Sequence, residues 1–122
     1  MRVLIANDEI FQLQILCDMF KGKHFDVTSA VNGHEAFLFA QKSLSGLPYD
    51  LVVLDLEMPI SNGYETCKKI LSLYDNSRDG IFNLLKSGNS LRKKQPLMIA
   101  CSGYVDDRVR DRTVRSGFDM AL

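Results

Sequence analysis

The sequence lacks three features that assign many proteins to a class: an excess of charge of one sign, a long apolar run and paired cysteines. Its 15 lysines and arginines balance 15 aspartates and glutamates, so it has no net charge to attract nucleic acid or an anionic membrane. There is no run of about 18 apolar residues, as a membrane span requires, and the apolar start at 1–6 is too short for a secretion signal. We expect a single cytoplasmic domain over 1–122 that contacts neither nucleic acid nor membrane.

The cysteines argue against disulfide or metal chemistry. Cys17, Cys67 and Cys101 are an odd number without paired spacing, and each lies in an apolar stretch typical of regular structure. A metal ligand or a nucleophile would need a neighbouring ligand or base, and neither histidine has the spacing of one. We therefore expect buried, reduced thiols.

Short apolar segments alternate with segments of helical periodicity. The predicted strands lie at 3–6, 25–30, 51–54, 97–101 and, beginning only, at 118–122. Apolar residues recur at helical spacing within 10–20, 36–44, 67–74 and 105–114. The alternation predicts an α/β fold with an open, doubly wound parallel sheet covered by helices on both faces. Four consecutive apolar residues at 51–54 predict a central strand that is buried on both sides.

The segment 75–95 breaks this alternation, since it is rich in Asn, Ser, Gly, Lys and Arg. We interpret it as a surface insertion. Its apolar island at 81–85 could form a short helix, and its basic run at 92–94 is either solvated or available to an acidic partner.

Polar residues follow three of the predicted strands. Asn7, Asp8 and Glu9 follow the first strand, Asp55 the third and Ser102 the fourth. A lone Asp after an apolar run is ordinarily a turn residue, but parallel α/β sheets bind ligands at the carboxyl ends of their strands. Clustered carboxylates favour a hard divalent cation such as Mg²⁺, and without it one of them should have a raised pKa. A metal-assisted phosphoryl acceptor is the simplest chemistry for this set.

These segments resemble the receiver domain of two-component response regulators, especially those of hybrid histidine kinases, over nearly the whole chain. VLIANDE at 3–9 is similar to the family's first strand and acidic pair, and LDLEMP at 54–59 with NG at 62–63 is similar to its phosphoacceptor segment. ACSG at 100–103 corresponds to the Ser/Thr switch strand, and SGFDMAL at 116–122 to the approach to the fifth strand. The resemblance implies a flavodoxin-like sheet of order 2-1-3-4-5.

The resemblance also implies a reaction and a site. Asp55 would take a phosphoryl group from a phosphohistidine on a histidine kinase or histidine phosphotransfer protein and form an aspartyl phosphate. Ser102 would donate its hydroxyl to a phosphoryl oxygen and so couple the modification to a conformational switch. Mg²⁺, with Mn²⁺ as an alternative, would be held by Asp8, Asp55, the backbone carbonyl of Glu57, Asn7 through a water, and Glu9 as a further candidate.

The sequence departs from the family at three places. Asn7 replaces the first acid of the pair, which removes a charge but keeps an oxygen. The Lys expected after the fifth strand would follow Leu122 and is absent, as is the last helix. Ala121 stands where an aromatic is usual, with Tyr104 as a nearby aromatic. We expect a truncated receiver whose uncovered apolar face favours self-association.

Two alternatives remain open from the sequence. The first is a degenerate module with the receiver fold that binds partners without efficient phosphotransfer, which Asn7 and the missing Lys favour. The second is a phosphatase or phosphotransferase of the haloacid-dehalogenase type, suggested by the acids at Asp55 and Glu57. For that fold the chain is short, and it lacks the usual second Asp at that spacing.

Overall fold

The computed structural model describes residues 1–74, 95–102 and 106–122. The expectations for the insertion, its island at 81–85, its basic run at 92–94 and Tyr104 therefore fall outside the described residues. Within the described ranges the elements are β1 (Arg2–Ala6), α1 (Ile10–Lys21), β2 (Asp26–Ala30), α2 (Gly33–Ser43), β3 (Leu51–Asp55), α3 (Gly63–Ser72), β4 (Leu97–Cys101), α4 (Asp107–Ser116) and β5 (Met120–Ala121).

The strands form one parallel sheet in the order β2-β1-β3-β4-β5, which confirms the predicted flavodoxin-like arrangement. Ala6 pairs with Leu54 at the end of β1, and Asp55 pairs with Cys101 at the end of β4. The register therefore brings the carboxyl ends of the three central strands to one edge of the sheet. The residues that follow these strands lie at the same edge.

Alternate side chains of the central strands enter two separate cores. Leu4, Val52, Leu54 and Met98 are buried in the core that also includes residues of α2 and α3. On the opposite face, Val3, Ile5, Val53 and Ile99 pack with Leu13 and Cys17 of α1. Because both faces of the sheet are covered, the sequence of β3 is continuously apolar and does not alternate between apolar and polar residues.

Three of the helices begin at a residue whose side chain caps the helix. Asn32, Asn62 and Asp106 each accept a hydrogen bond from the backbone N–H three residues later, at the start of α2, α3 and α4 respectively. The cap of α3 is thus Asn62, not the neighbouring Ser61. Gly117 ends α4 with φ 101°, a left-handed conformation that glycine adopts without strain.

Several predicted boundaries shift by one or two residues. β2 begins at Asp26 rather than at 25, and it lies at the edge of the sheet as expected. β5 comprises Met120–Ala121 only, and the preceding Phe118 is buried in the core. Cys17 and Cys67 are buried free thiols as predicted, whereas Cys101 at the end of β4 is only half-buried. None of the described helices is long and apolar enough to cross a membrane.

The start of α2 lies very close to the loop that precedes α3. A Cβ atom on Gly33 would meet the carbonyl oxygen of Ser61 and the hydroxyl of Thr66. That hydroxyl is already fixed, since it donates to the carbonyl of Asn62 at 2.8 Å and shares a hydrogen bond with the Ser61 hydroxyl at 3.0 Å. Gly33 therefore sets the distance between α2 and the loop that follows Asp55.

Gly33→Ala is expected to lower the free energy of unfolding by about 1–3 kcal/mol, because the overpacking outweighs the helix propensity gained. Gly46→Ala is the matched control, since among the described residues, its chain neighbours aside, no atom lies within 4 Å of a Cβ at that position, and it should change stability by less than about 0.5 kcal/mol. Urea denaturation of both variants measures the difference. Equal stability of the two variants would contradict the close approach at Gly33.

Candidate functional site

A cleft lies at the edge of the sheet where β1, β3 and β4 end. The structure brings together in its wall Asp8, Glu9, Asp55, Glu57 and Ser102, the polar residues that the sequence placed at strand ends and in the following turn. All four acids are on the β1 and β3 side of the sheet, and Ser102 follows β4. The cleft therefore joins an acidic wall to a hydroxyl residue.

Asp55 is the half-buried member of this acidic group. Its Oδ1 accepts a hydrogen bond from the backbone N–H of Glu57 at 3.3 Å. Burial is the main cause that raises the pKa of Asp55 above its ordinary value, and the negative charges of Asp8 and Glu57 raise it further, while the N–H groups of Leu56 and Glu57 act in the opposite direction. The sequence predicted a raised pKa from like-charge repulsion, but desolvation is the larger cause.

Asn7 differs from its sequence neighbours in lying beneath the cleft rather than in its wall. Its side chain is 1% exposed. Oδ1 accepts a hydrogen bond from the Glu9 N–H at 2.8 Å, and Nδ2 donates to Oε1 of Gln12 at 3.0 Å. Both ends of the amide thus shape the turn between β1 and α1.

The turn after Asp55 is tight and locally strained. The N–H of Ser61 donates to the carbonyl of Pro59 at 2.8 Å, and the residue between them, Ile60, has φ 72°. This hydrogen bond across a single residue defines a γ-turn of the rarer kind, which is unfavourable for a β-branched side chain. The backbone then returns to the strand end, where the N–H of Gly63 donates to the carbonyl of Leu56 at 3.0 Å.

Gly63 is required by close approach rather than by an unusual backbone conformation. A Cβ at this position would meet the carbonyl oxygen of Asp55 and would lie 2.8 Å from Cα of Leu56. Both are backbone atoms and cannot rotate away. The first turn of α3 is therefore packed directly on the main chain of Asp55.

The cleft contains three residues with polar side-chain atoms that sequence reasoning missed: Gln12 from α1, Tyr64 from α3 and Arg112 from α4. The Cζ atom of Arg112 lies 3.9 Å from the centre of the Tyr64 ring, a cation–π contact. Tyr64 could have been identified from the sequence, because it directly follows Gly63. No local signal distinguishes Arg112 from the other arginines of α4, because its position depends on how α4 packs against α3.

The oxygen atoms of the cleft suit a hard cation held by few protein ligands. Within the ranges that the structure covers, no three His, Cys, Asp or Glu side chains are grouped closely enough to hold a metal ion. Asp8 and Asp55 contribute carboxylates, and Glu57 lies in the wall beside them. Two carboxylates, a backbone carbonyl and waters form a donor set that fits Mg²⁺, which keeps much of its hydration shell.

Comparison with known proteins identifies the family. Residues 3–82 match the family described as response regulator receiver domain. The chain is 36% identical over 76 residues to a protein-glutamate methylesterase/protein-glutamine glutaminase of Bacillus subtilis, which covers 61% of this chain and 20% of that protein. It is 33% identical over 69 residues to hybrid signal transduction histidine kinase L of Dictyostelium discoideum, covering 57% of this chain and 4% of that protein. The chain thus spans a small part of these relatives.

The fold agrees with this match. The structure is similar to that of the receiver domain of the histidine kinase CKI1 from Arabidopsis thaliana complexed with Mg²⁺, with a TM-score of 0.77 and 21% identity, covering 99% of this chain and 81% of that chain. With a family match over residues 3–82 and the sheet order 2-1-3-4-5, the chain belongs to the response regulator receiver domain family of two-component signalling.

Proposed function

We propose that this receiver domain accepts a phosphoryl group on Asp55 from a phosphohistidine and changes conformation in response. The observation that carries the proposal is the placement of the half-buried Asp55 beside Asp8, Glu57 and Ser102 in one cleft. An aspartate that only forms a turn at a strand end does not require neighbouring acids or a hydroxyl group. A phosphoacceptor uses both, and three different strands bring them together here.

In this reaction the chain mainly has to supply a nucleophile in the correct position. A carboxylate oxygen of Asp55 attacks phosphorus, the phosphorus–nitrogen bond of the phosphohistidine breaks, and the released imidazole takes up a proton. The Glu57 N–H holds Oδ1 of Asp55 at 3.3 Å, which leaves the other carboxylate oxygen to attack. The raised pKa of Asp55 makes the ionised oxygen more basic and hence a better nucleophile.

The remaining site residues have supporting roles in the proposal. Asp8, Asp55 and the backbone carbonyl of Glu57 hold Mg²⁺, or Mn²⁺ in its place, with Asn7 acting through a water and Glu9 as a further ligand. When bound, the cation neutralises negative charge in the cleft. Ser102 donates its hydroxyl to a phosphoryl oxygen. The Arabidopsis receiver that binds Mg²⁺ has the same fold, which is consistent with this assignment.

The proposed partners are a histidine kinase or a histidine phosphotransfer protein in a cytoplasmic phosphorelay. The Dictyostelium relative is itself a hybrid histidine kinase, which favours such a setting. In this role the domain is a signalling phosphoacceptor that assists its own phosphorylation and dephosphorylation, not an enzyme acting on a separate substrate. Self-association is a further part of the proposal, supported by the exposed side chains of Phe11, Ile15 and Met19 on α1.

One specific observation favours a second candidate, a receiver-fold binding module without efficient phosphotransfer. Asn7 stands in place of an acid, and its amide is hydrogen bonded to Glu9 and Gln12 beneath the cleft. Binding of Mg²⁺ separates the two candidates, since an inert module has no need of it. Millimolar or tighter binding that is lost in Asp55→Ala excludes the inert module.

The central prediction concerns covalent labelling. Incubation of the chain with Mg²⁺ and a phosphorylated histidine phosphotransfer protein, or with a small phosphodonor, should give a hydroxylamine-sensitive label that Asp55→Asn abolishes. Asp111→Asn is the matched control, because Asp111 is an exposed acid of α4 outside the cleft, and it should label as the wild type does. Absence of label with every donor, or equal labelling of Asp55→Asn, refutes the proposal.

A second prediction separates the roles of two acids. Asp8→Asn should weaken Mg²⁺ binding about tenfold or more, since it replaces a charged ligand by a neutral amide. Glu57→Gln should bind Mg²⁺ nearly as tightly as the wild type, because only the backbone carbonyl of this residue is a ligand. Titration with Mg²⁺ followed by NMR measures both affinities. A larger loss in Glu57→Gln than in Asp8→Asn would show that the ligand assignment is wrong.

A third prediction follows from the raised pKa of Asp55. Its pKa is higher in the folded chain than in the unfolded chain, so ionisation of this group disfavours folding at neutral pH. Without divalent cations, Asp55→Asn should therefore be more stable than the wild type at pH 7. The difference should shrink as the pH falls and should disappear below about pH 4, where the group is protonated in the unfolded chain as well.

Urea denaturation at several pH values, in the presence of a chelator, measures this difference. Asp111→Asn provides the reference for loss of a surface carboxylate. If Asp55→Asn is no more stable than Asp111→Asn at pH 7, or if its advantage grows on acidification, the pKa of Asp55 is not raised by the fold.

A further inference from the structure

Arg112 lies in the cleft but has no role in the phosphotransfer chemistry proposed for Asp55. It is the only cationic side chain among the described residues that line the cleft with Asp55 and Ser102. The other charged residues of the wall are the acids Asp8, Glu9, Asp55 and Glu57. A single guanidinium therefore shares this cleft with four acids, and it also borders the neighbouring groove between α3 and α4.

Arg112 contacts Tyr64, the second residue of α3, which begins at the end of the loop that follows β3. Its guanidinium carbon lies 3.9 Å from the centre of the Tyr64 ring, and Tyr64 is buried. The preceding residue, Gly63, is packed on the carbonyl of Asp55. The ring is thus attached to the backbone segment that carries the phosphoacceptor, and it holds the guanidinium beside that segment.

Phosphorylation would change the charge that Arg112 faces. A phosphoryl group carries about 1.5–2 negative charges near neutral pH and presents three acceptor oxygens, where the carboxylate alone carried one charge. A guanidinium can bind two such oxygens through parallel N–H donors, and this interaction is stronger than a contact with an aromatic face. The phosphorylated site is therefore a better partner for Arg112 than Tyr64.

We propose that Arg112 binds the phosphoryl oxygens of phosphorylated Asp55 and supplies positive charge opposite the acids of the cleft. This inference rests on the proposed function of Asp55. Because Arg112 belongs to α4, its transfer from the Tyr64 ring to the phosphoryl group ties the position of α4 to the state of Asp55.

Another arginine of α4 provides a matched control for Arg112. Arg108 and Arg115 line a neighbouring groove between α3 and α4, together with Lys68, and are not in the wall of the cleft. Nε of Arg115 donates to the carbonyl of Asp111 at 3.3 Å. Arg115→Gln removes the same charge from the same helix at a position outside the cleft.

The test measures binding of beryllofluoride, a phosphoryl mimic that needs no partner protein, in the presence of Mg²⁺. Fluorine NMR or calorimetry gives the dissociation constant. Arg112→Gln should weaken binding about tenfold, Arg115→Gln should bind as the wild type does, and Arg112→Lys should restore part of the affinity because it keeps the charge without the planar fork. In the wild type, the Nε–H resonance of Arg112 should shift on binding. Thermal unfolding of each variant shows that it is folded.

The outcomes distinguish the role of Arg112 from that of Asp55. Equal binding by Arg112→Gln and Arg115→Gln, with no shift of the Arg112 resonance, overturns this inference and leaves Asp55 as the phosphoacceptor. A wild-type chain that binds no beryllofluoride and takes no label overturns the proposed function, and this inference with it. Selective weakening in Arg112→Gln supports both.

Discussion

The parallel register of β1, β3 and β4 is the constraint on which the site depends. Backbone hydrogen bonding pairs Ala6 with Leu54 and Asp55 with Cys101, so the chain must leave the sheet at nearly the same level three times. Residues far apart in sequence become neighbours because the backbone pairing of the strands places them at the same edge of the sheet. Burial of the central strands in two cores holds this register, since a slip by one residue would exchange the faces of every side chain.

This arrangement is unfavourable for the charged form of Asp55. The same cores that fix the strand end also remove part of the solvent around its carboxylate, and the neighbouring acids add repulsion. The charged form of the Asp55 carboxylate is unfavourable in this position. A bound cation or a positively charged neighbour would therefore stabilise it. The charges of the site thus favour binding of a cation, but they lower the free energy of unfolding of the chain when no cation is bound. Such a balance is common at functional sites.

Sequence reasoning recovered the features encoded by short-range pattern. The apolar run of β3 and the turn residues after it predicted both a buried strand and a strand-end acid, and the family resemblance supplied the strand order. Arg112 was not predicted, because the charged residues of α4 surround the helix and only its packing on α3 selects one of them. The direction of the Asn7 side chain was likewise unpredictable, since it depends on the hydrogen bonds of the folded turn with Glu9 and Gln12.

The absent side chain of Gly63 has a mechanical consequence. Between most packed elements, side chains can change rotamer and so absorb small displacements. Here the backbone of α3 rests on the backbone of Asp55 and Leu56 with no such layer between them. Any displacement of the main chain at Asp55 must therefore displace the first turn of α3 as well, and the whole helix moves with it.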